Sequence, residues 1–131
     1  MTARKTVTLP DGVPALRVAA MPKDTNPGGS IFGGWIMAQV DIAGAIVAVE
    51  RARGRVATVS AKSFEFHEPV FVGDIISCYA EVIATGTTSL TVKVEVYAKR
   101  NPKQPEIVKV TEAELTYVAL DENRKPCPIP E

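Results

Sequence analysis

Apolar side chains run almost without interruption over residues 31–49, broken by polar groups only at Gln39 and Asp41. A run of this length predicts a helix, and a helix apolar on nearly every face is expected to be buried all round. Asn26, Pro27, Gly28, Gly29 and Ser30 form a turn leading into it, with Ser30 placed as N-cap. Gly54 is placed to end it, after Arg51 and Arg53, whose charges complement the helix dipole.

Beyond the helix the period drops from 3.6 to two. Val56–Phe66 and Ile75–Thr85 read as long strands, separated by Pro69 and the turn Val72-Gly73-Asp74. Residues 89–99 give the cleanest alternation, with Leu90, Val92, Val94, Val96 and Ala98 set against Thr91, Lys93, Glu95, Tyr97 and Lys99. One face of that strand is predicted to be buried and the other wet. Residues 107–120 form a last strand, and Leu16–Ala19 a short first one. The pattern predicts an α+β fold: one long buried helix followed by a meander of curved antiparallel strands that wraps it. Residues 1–131 read as a single domain, with 1–13 and 121–131 as flexible or edge tails.

Composition narrows the function classes. Fifteen Lys plus Arg balance fifteen Asp plus Glu, so no broad nucleic-acid footprint is expected. Two cysteines, Cys78 and Cys127, do not make a disulfide framework and point to a reducing, cytoplasmic setting. The N-terminal residues carry no apolar core of signal-peptide length. The helix is long enough to span a bilayer, but Asp41, Gln39, three glycines and four alanines dilute it, so no stable membrane insertion is expected.

Asp41 is the first chemical candidate. A carboxylate in the middle of an apolar helix is either a hydrogen-bonded packing residue or a general base or nucleophile in a desolvated site. Gly28, Gly29, Gly33 and Gly34 let backbone approach a ligand, and a helix start offers N–H donors suited to an oxyanion; the same glycines could serve packing alone. Asp41 lies eight residues past Gly33, about 12 Å along a helix, too far for both to address one carbonyl. If both act, a neighbouring subunit completes the site. His67 is the single histidine, just before Pro69, where a surface or packing role is the simpler reading. No phosphate loop, GxSxG elbow, HExxH or CxxC is present, and no metal site is expected.

Three stretches together, MPKDTNPGGSIFGGWIMAQVDIAGAIVA, GRVATVSAKSFEFHEPVFVGD and the TGTTSL turn, resemble the YciA-type acyl-CoA thioesterases of the hotdog-fold superfamily over residues 16–130. The resemblance implies a helix wrapped by an antiparallel sheet, homodimers that commonly assemble as trimers of dimers, and hydrolysis of acyl-CoA to free acid and CoA. It implies no cofactor, since CoA belongs to substrate and product. Asp41 matches the family's helix carboxylate, Asn26 a loop residue acting from the other subunit, and Gly33 and Gly34 the N–H donors for the thioester oxygen.

For the CoA end the resemblance points to Arg55 and to Thr87, Thr88 and Ser89; charge alone adds Arg100 and Lys103. Each of these could equally be a solvated strand-end residue. Three positions depart from the family pattern: Ser30 where Asp is frequent, Lys62 where an acid is frequent, and Thr87 where Arg is frequent. The alternatives are a hotdog hydratase or dehydratase, which usually wants a histidine near the acid, and an acyl-CoA-binding protein without turnover.

Overall fold

A computed structural model describes residues 7–131. Along the chain come β1 (Leu16–Ala19), a 3-10 turn (Pro22–Asp24), α1 (Gly33–Ala52), β2 (Val56–Phe66), β3 (Ile75–Thr85), β4 (Ser89–Arg100) and β5 (Glu106–Ala119). The strands form one antiparallel sheet in the order β1-β3-β4-β5-β2, with α1 packed across it. Strand limits read from alternation agree with these to within a residue.

Alternation on β4 is realised as expected. Leu90, Val92, Val94 and Val96 are fully buried, while Thr91, Lys93 and Glu95 on the outer face are partly exposed. There Glu95 stands directly opposite Glu112, a repulsive pairing. Lys109, 2.9 Å from Glu95 and 3.3 Å from Glu112, offsets it.

The strands do not form a simple meander. β3, β4 and β5 do, but β2 crosses to the far edge and pairs with β5. Local periodicity reports which residues alternate and is silent on which strand they pair with.

The connection from β2 back to β3 is pinned by Arg100. Its Nη2 donates to the Pro69 carbonyl at 3.0 Å and pairs with Asp74 at 2.8 Å, and its guanidinium stacks 5.2 Å from the centre of the Phe71 ring. Asp74 also accepts the Phe71 N–H at 3.0 Å.

Helix α1 is not buried all round. Ile36, Val40, Ala43, Gly44, Ala48 and Ala52 face the sheet, whereas Met37, Ile42, Ile46 and Val49 are 38–50% exposed. A single sheet can cover only one side of a helix, so the remaining apolar side is left outward. The caps also differ from expectation. Phe32, not Ser30, is the N-cap and makes no side-chain bond, while Arg53, not Gly54, takes the left-handed conformation (φ 55°) and donates its N–H to Val49.

Neither described tail segment hangs loose. Val7 N–H bonds to Ile107, and in the C-terminal tail the N–H groups of Cys127 and Ile129 bond to Ala119 and Thr87. Arg51 reaches the Pro130 carbonyl. The expected fraying of residues 1–6 lies outside the described residues.

Candidate active site

Asp41 sits on the flank of α1, half-buried, where the helix passes the paired residues Thr58 of β2 and Tyr117 of β5. The Thr58 hydroxyl donates to Oδ1 at 2.7 Å. The Tyr117 hydroxyl lies 3.1 Å from the same Oδ1 and 2.9 Å from the Asp41 carbonyl oxygen, sharing its one proton between them. Both side-chain bonds fall on Oδ1, which leaves Oδ2 outside them. The cost of placing a carboxylate here is thus met by two hydroxyls and partial exposure.

Tyr117 is completely buried, and burial first, then the Asp41 charge and the bond to it, hold its phenol well above the usual range. It stays a neutral donor. Its approach depends on Gly44, one helical turn past Asp41: a Cβ there would lie 2.3 Å from the Tyr117 hydroxyl and 3.1 Å from Cζ. Gly44 therefore makes room for the phenol. Gly44→Ala should be net destabilising despite its better helix propensity, by about 1–3 kcal/mol from overpacking. A denaturant midpoint that fell in Gly44→Ala and partly recovered on adding Tyr117→Phe would confirm the clash.

The sequence-predicted residues divide into separate groups. Arg55, whose carbonyl bonds to Leu120, and Thr88, whose carbonyl bonds to Ala119, gather at the end of the sheet nearest Asp41. Thr87 and Ser89 are there too, Ser89 one residue from Leu90, the β4 neighbour of Tyr117.

Asn26, Gly33 and Gly34 lie at the other end of the helix. Asn26 brackets Ser30, its Nδ2 donating to Oγ at 3.1 Å and its Oδ1 accepting the Ser30 N–H at 3.2 Å. Ser30 is spent on this loop, which is why it does not cap the helix. Gly33 and Gly34, the first two residues of α1, have no backbone acceptor for their N–H groups among the described residues. A cleft of 310 Å³ opens beside them, lined by Gly33, Phe66, His67 and Val70.

Arg100 and Lys103 belong to neither group. They sit at or just beyond the opposite end of the twelve-residue strand β4 from Ser89, roughly 36 Å away. The Arg100 side chain is 8% exposed and engaged with Asp74, so its charge is used inside the fold. Lys103 is exposed in the β4–β5 turn, remote from Thr87, Thr88 and Ser89. Lys62, the departure on β2, stands 3.7 Å from Glu114 in an exposed pair. Thr58 and Tyr117 were missed in the sequence, where one threonine and one tyrosine in alternating strands carry no mark. Gly44 was the one available signal, a helix-interior glycine on the same side as Asp41.

A helix laid across an antiparallel sheet, with a half-buried carboxylate on its flank and open N–H groups at its start, is the architecture of a hotdog-fold hydrolase. The chain belongs to the thioesterase superfamily, whose family model matches residues 28–104. Acyl-CoA thioester hydrolase YciA of Salmonella typhimurium is 49% identical over 123 residues, 92% of each chain. Among solved structures, a hexameric hotdog-fold thioesterase of Campylobacter jejuni aligns with TM-score 0.87 at 50% identity over 91% of each chain. A hexameric thioesterase from Yersinia pestis aligns with TM-score 0.88 at 48% identity, over 94% of this chain and 100% of that one.

Proposed function

We infer that this chain is an acyl-CoA thioester hydrolase working as a homo-oligomer, with each active site shared between two subunits. The observation that carries the mechanism is the split just described: Asp41 on one side, the N–H donors of Gly33 and Gly34 about 12 Å along the helix on the other.

The edge strand β2 supplies a way to join them. It is eleven residues long, lies at the sheet edge, and exposes Val59 (56%) and Phe66 (45%). A long unpaired edge with apolar side chains is a template for a second strand. Two copies meeting antiparallel across β2 would set the Phe66 end of one beside the Thr58 end of the other. Gly33 packs near Phe66 and Asp41 is bonded to Thr58, so the pairing places one subunit's helix start next to its partner's carboxylate. The exposed apolar side of α1 offers surface for further assembly, in keeping with trimers of dimers. Cys78 and Cys127 are both unpaired, which fits a cytoplasmic enzyme.

In that site Asp41 Oδ2 takes a proton from water as it attacks the thioester carbonyl and returns it to the departing sulfur. Alternatively it attacks the carbonyl itself to give an acyl anhydride that a water then opens to free acid and carboxylate, the CoA thiolate taking its proton from solvent. In either case the N–H groups of Gly33 and Gly34 hold the developing oxyanion. The carbon–sulfur bond breaks and CoA leaves as thiol. Asn26 keeps its second amide proton for substrate or water, its first being held by Ser30. Arg55 and the Thr87-Thr88-Ser89 turn receive the CoA phosphates at Asp41's end of the sheet. No metal or cofactor enters the reaction.

The test is thiol release from acyl-CoA esters of graded chain length; binding without thiol release would leave a non-catalytic acyl-CoA protein. Subunit sharing has its own test. Asp41→Asn and Asn26→Ala homo-oligomers, each inactive, should regain part of the activity when unfolded together and refolded, because mixed dimers contain one intact site. Absence of any rescue counts against the shared site.

A further inference from the structure

We infer that Tyr117 is a positioning residue for Asp41, reaching it from behind the helix through a gap that Gly44 provides. The inference rests on the acyl-CoA hydrolase reading and goes beyond it, since Tyr117 is completely buried and bonds to Asp41.

Three observations support it. The Tyr117 hydroxyl lies 2.9 Å from the Asp41 carbonyl oxygen and 3.1 Å from Oδ1, so it ties the side chain to its own backbone. Thr58 approaches Oδ1 from β2 at 2.7 Å, and Tyr117 and Thr58 are direct partners in the β2–β5 register, which fixes the two donors relative to each other. Together they fasten Oδ1 and leave Oδ2 outside both bonds. Finally, the helix carries glycine at its centre, at a propensity cost of about 1 kcal/mol, where any side chain would collide with the phenol. With phenylalanine at position 117 the nearest ring atoms would stand 3.1 and 3.2 Å from such a Cβ, tight contacts that a small shift could relieve, whereas the hydroxyl at 2.3 Å could not remain. It is the hydroxyl that Gly44 accommodates most closely.

A carboxylate free to rotate presents its reactive oxygen only part of the time, and small misplacements at a reacting centre are costly. Tyr117→Phe keeps the ring and so the fold, with a modestly lower thermal midpoint from the lost hydroxyl bonds. Its kcat should fall about tenfold with KM unchanged, the pattern of a lost orientation and not of lost binding. In an Asp41→Asn background the same substitution should cost nothing further, because Tyr117 acts only through the carboxylate. Gly44→Ala, which displaces the phenol without removing it, should reproduce the kcat loss at a temperature where the variant is folded.

The experiment is the cycle of wild type, Tyr117→Phe, Asp41→Asn and the double variant, assayed by thiol release on the intact oligomer. Undiminished kcat in Tyr117→Phe, a loss confined to KM, or an equal loss in both backgrounds would each overturn the inference. The outcomes separate from those of the broader reading. Asp41→Asn at wild-type turnover removes Asp41 from the chemistry altogether, whereas an inactive Asp41→Asn beside a normal Tyr117→Phe removes only the role of Tyr117.

Discussion

Asp41→Asn should lose at least about two orders of magnitude in kcat while keeping its fold, the loss expected when a general base is removed. The substitution is nearly isosteric. With its amide oxygen at the Oδ1 position it still accepts from Thr58 and Tyr117, at 2.7 and 3.1 Å. What disappears is the basicity and charge of the second oxygen, which lies outside the Thr58 and Tyr117 bonds. A melting temperature close to wild type together with a collapsed rate of CoA-thiol release would separate chemistry from folding. Near-normal turnover would exclude Asp41 as base and as nucleophile alike. The effect should be larger than that of Thr58→Val, which removes one of two donors to Oδ1 and leaves the carboxylate in place.

Much of the architecture can be read from periodicity. The strict alternation over residues 89–99 and the switch from a 3.6 to a 2 period after residue 54 locate the long strands to within a residue, and the helix start to within two. Pairing cannot be read this way: nothing in Val56–Phe66 says that it leaves its sequence neighbour and joins β5. Asp41 is visible because it interrupts an apolar run. Its environment is not, because its two donors arrive from strands 17 and 76 residues away in sequence. The apolar helix suggests full burial, yet Ile42, Ile46 and Val49 face outward. One chain's pattern records surfaces destined for a partner and surfaces destined for the core in the same letters. Arg100 shows the same limit for charge. In sequence it resembles Lys103, a cation at a turn, and only its contacts with Asp74, Phe71 and Pro69 reveal a buried structural role.

That role carries the largest expected effect on stability. Asp74→Ala leaves the Arg100 guanidinium, 8% exposed, without its counter-charge, and deleting one partner of a buried pair typically costs about 3–5 kcal/mol. It also deprives the Phe71 N–H of its acceptor and loosens the connection that carries the chain from the β2 edge back to β3. Because small domains are stable by only about 5–15 kcal/mol, the unfolding midpoint in urea should drop steeply. Arg100→Met, which removes the charge but keeps an unbranched stem over the Phe71 ring, leaves Asp74 buried and unpaired and should also destabilise. The double variant Asp74→Ala/Arg100→Met should be less destabilised than the two single losses added together, since neither charge is then left stranded. A phosphate-binding arginine would behave otherwise. Its removal would raise KM for acyl-CoA and leave the urea midpoint where it was, so paired measurements of KM and stability on Arg100→Met decide between the two roles. The expected result is an unchanged KM at a temperature where the variant is folded, because the side chain is engaged on the crossover loop, about 36 Å along β4 from the Thr87-Thr88-Ser89 turn.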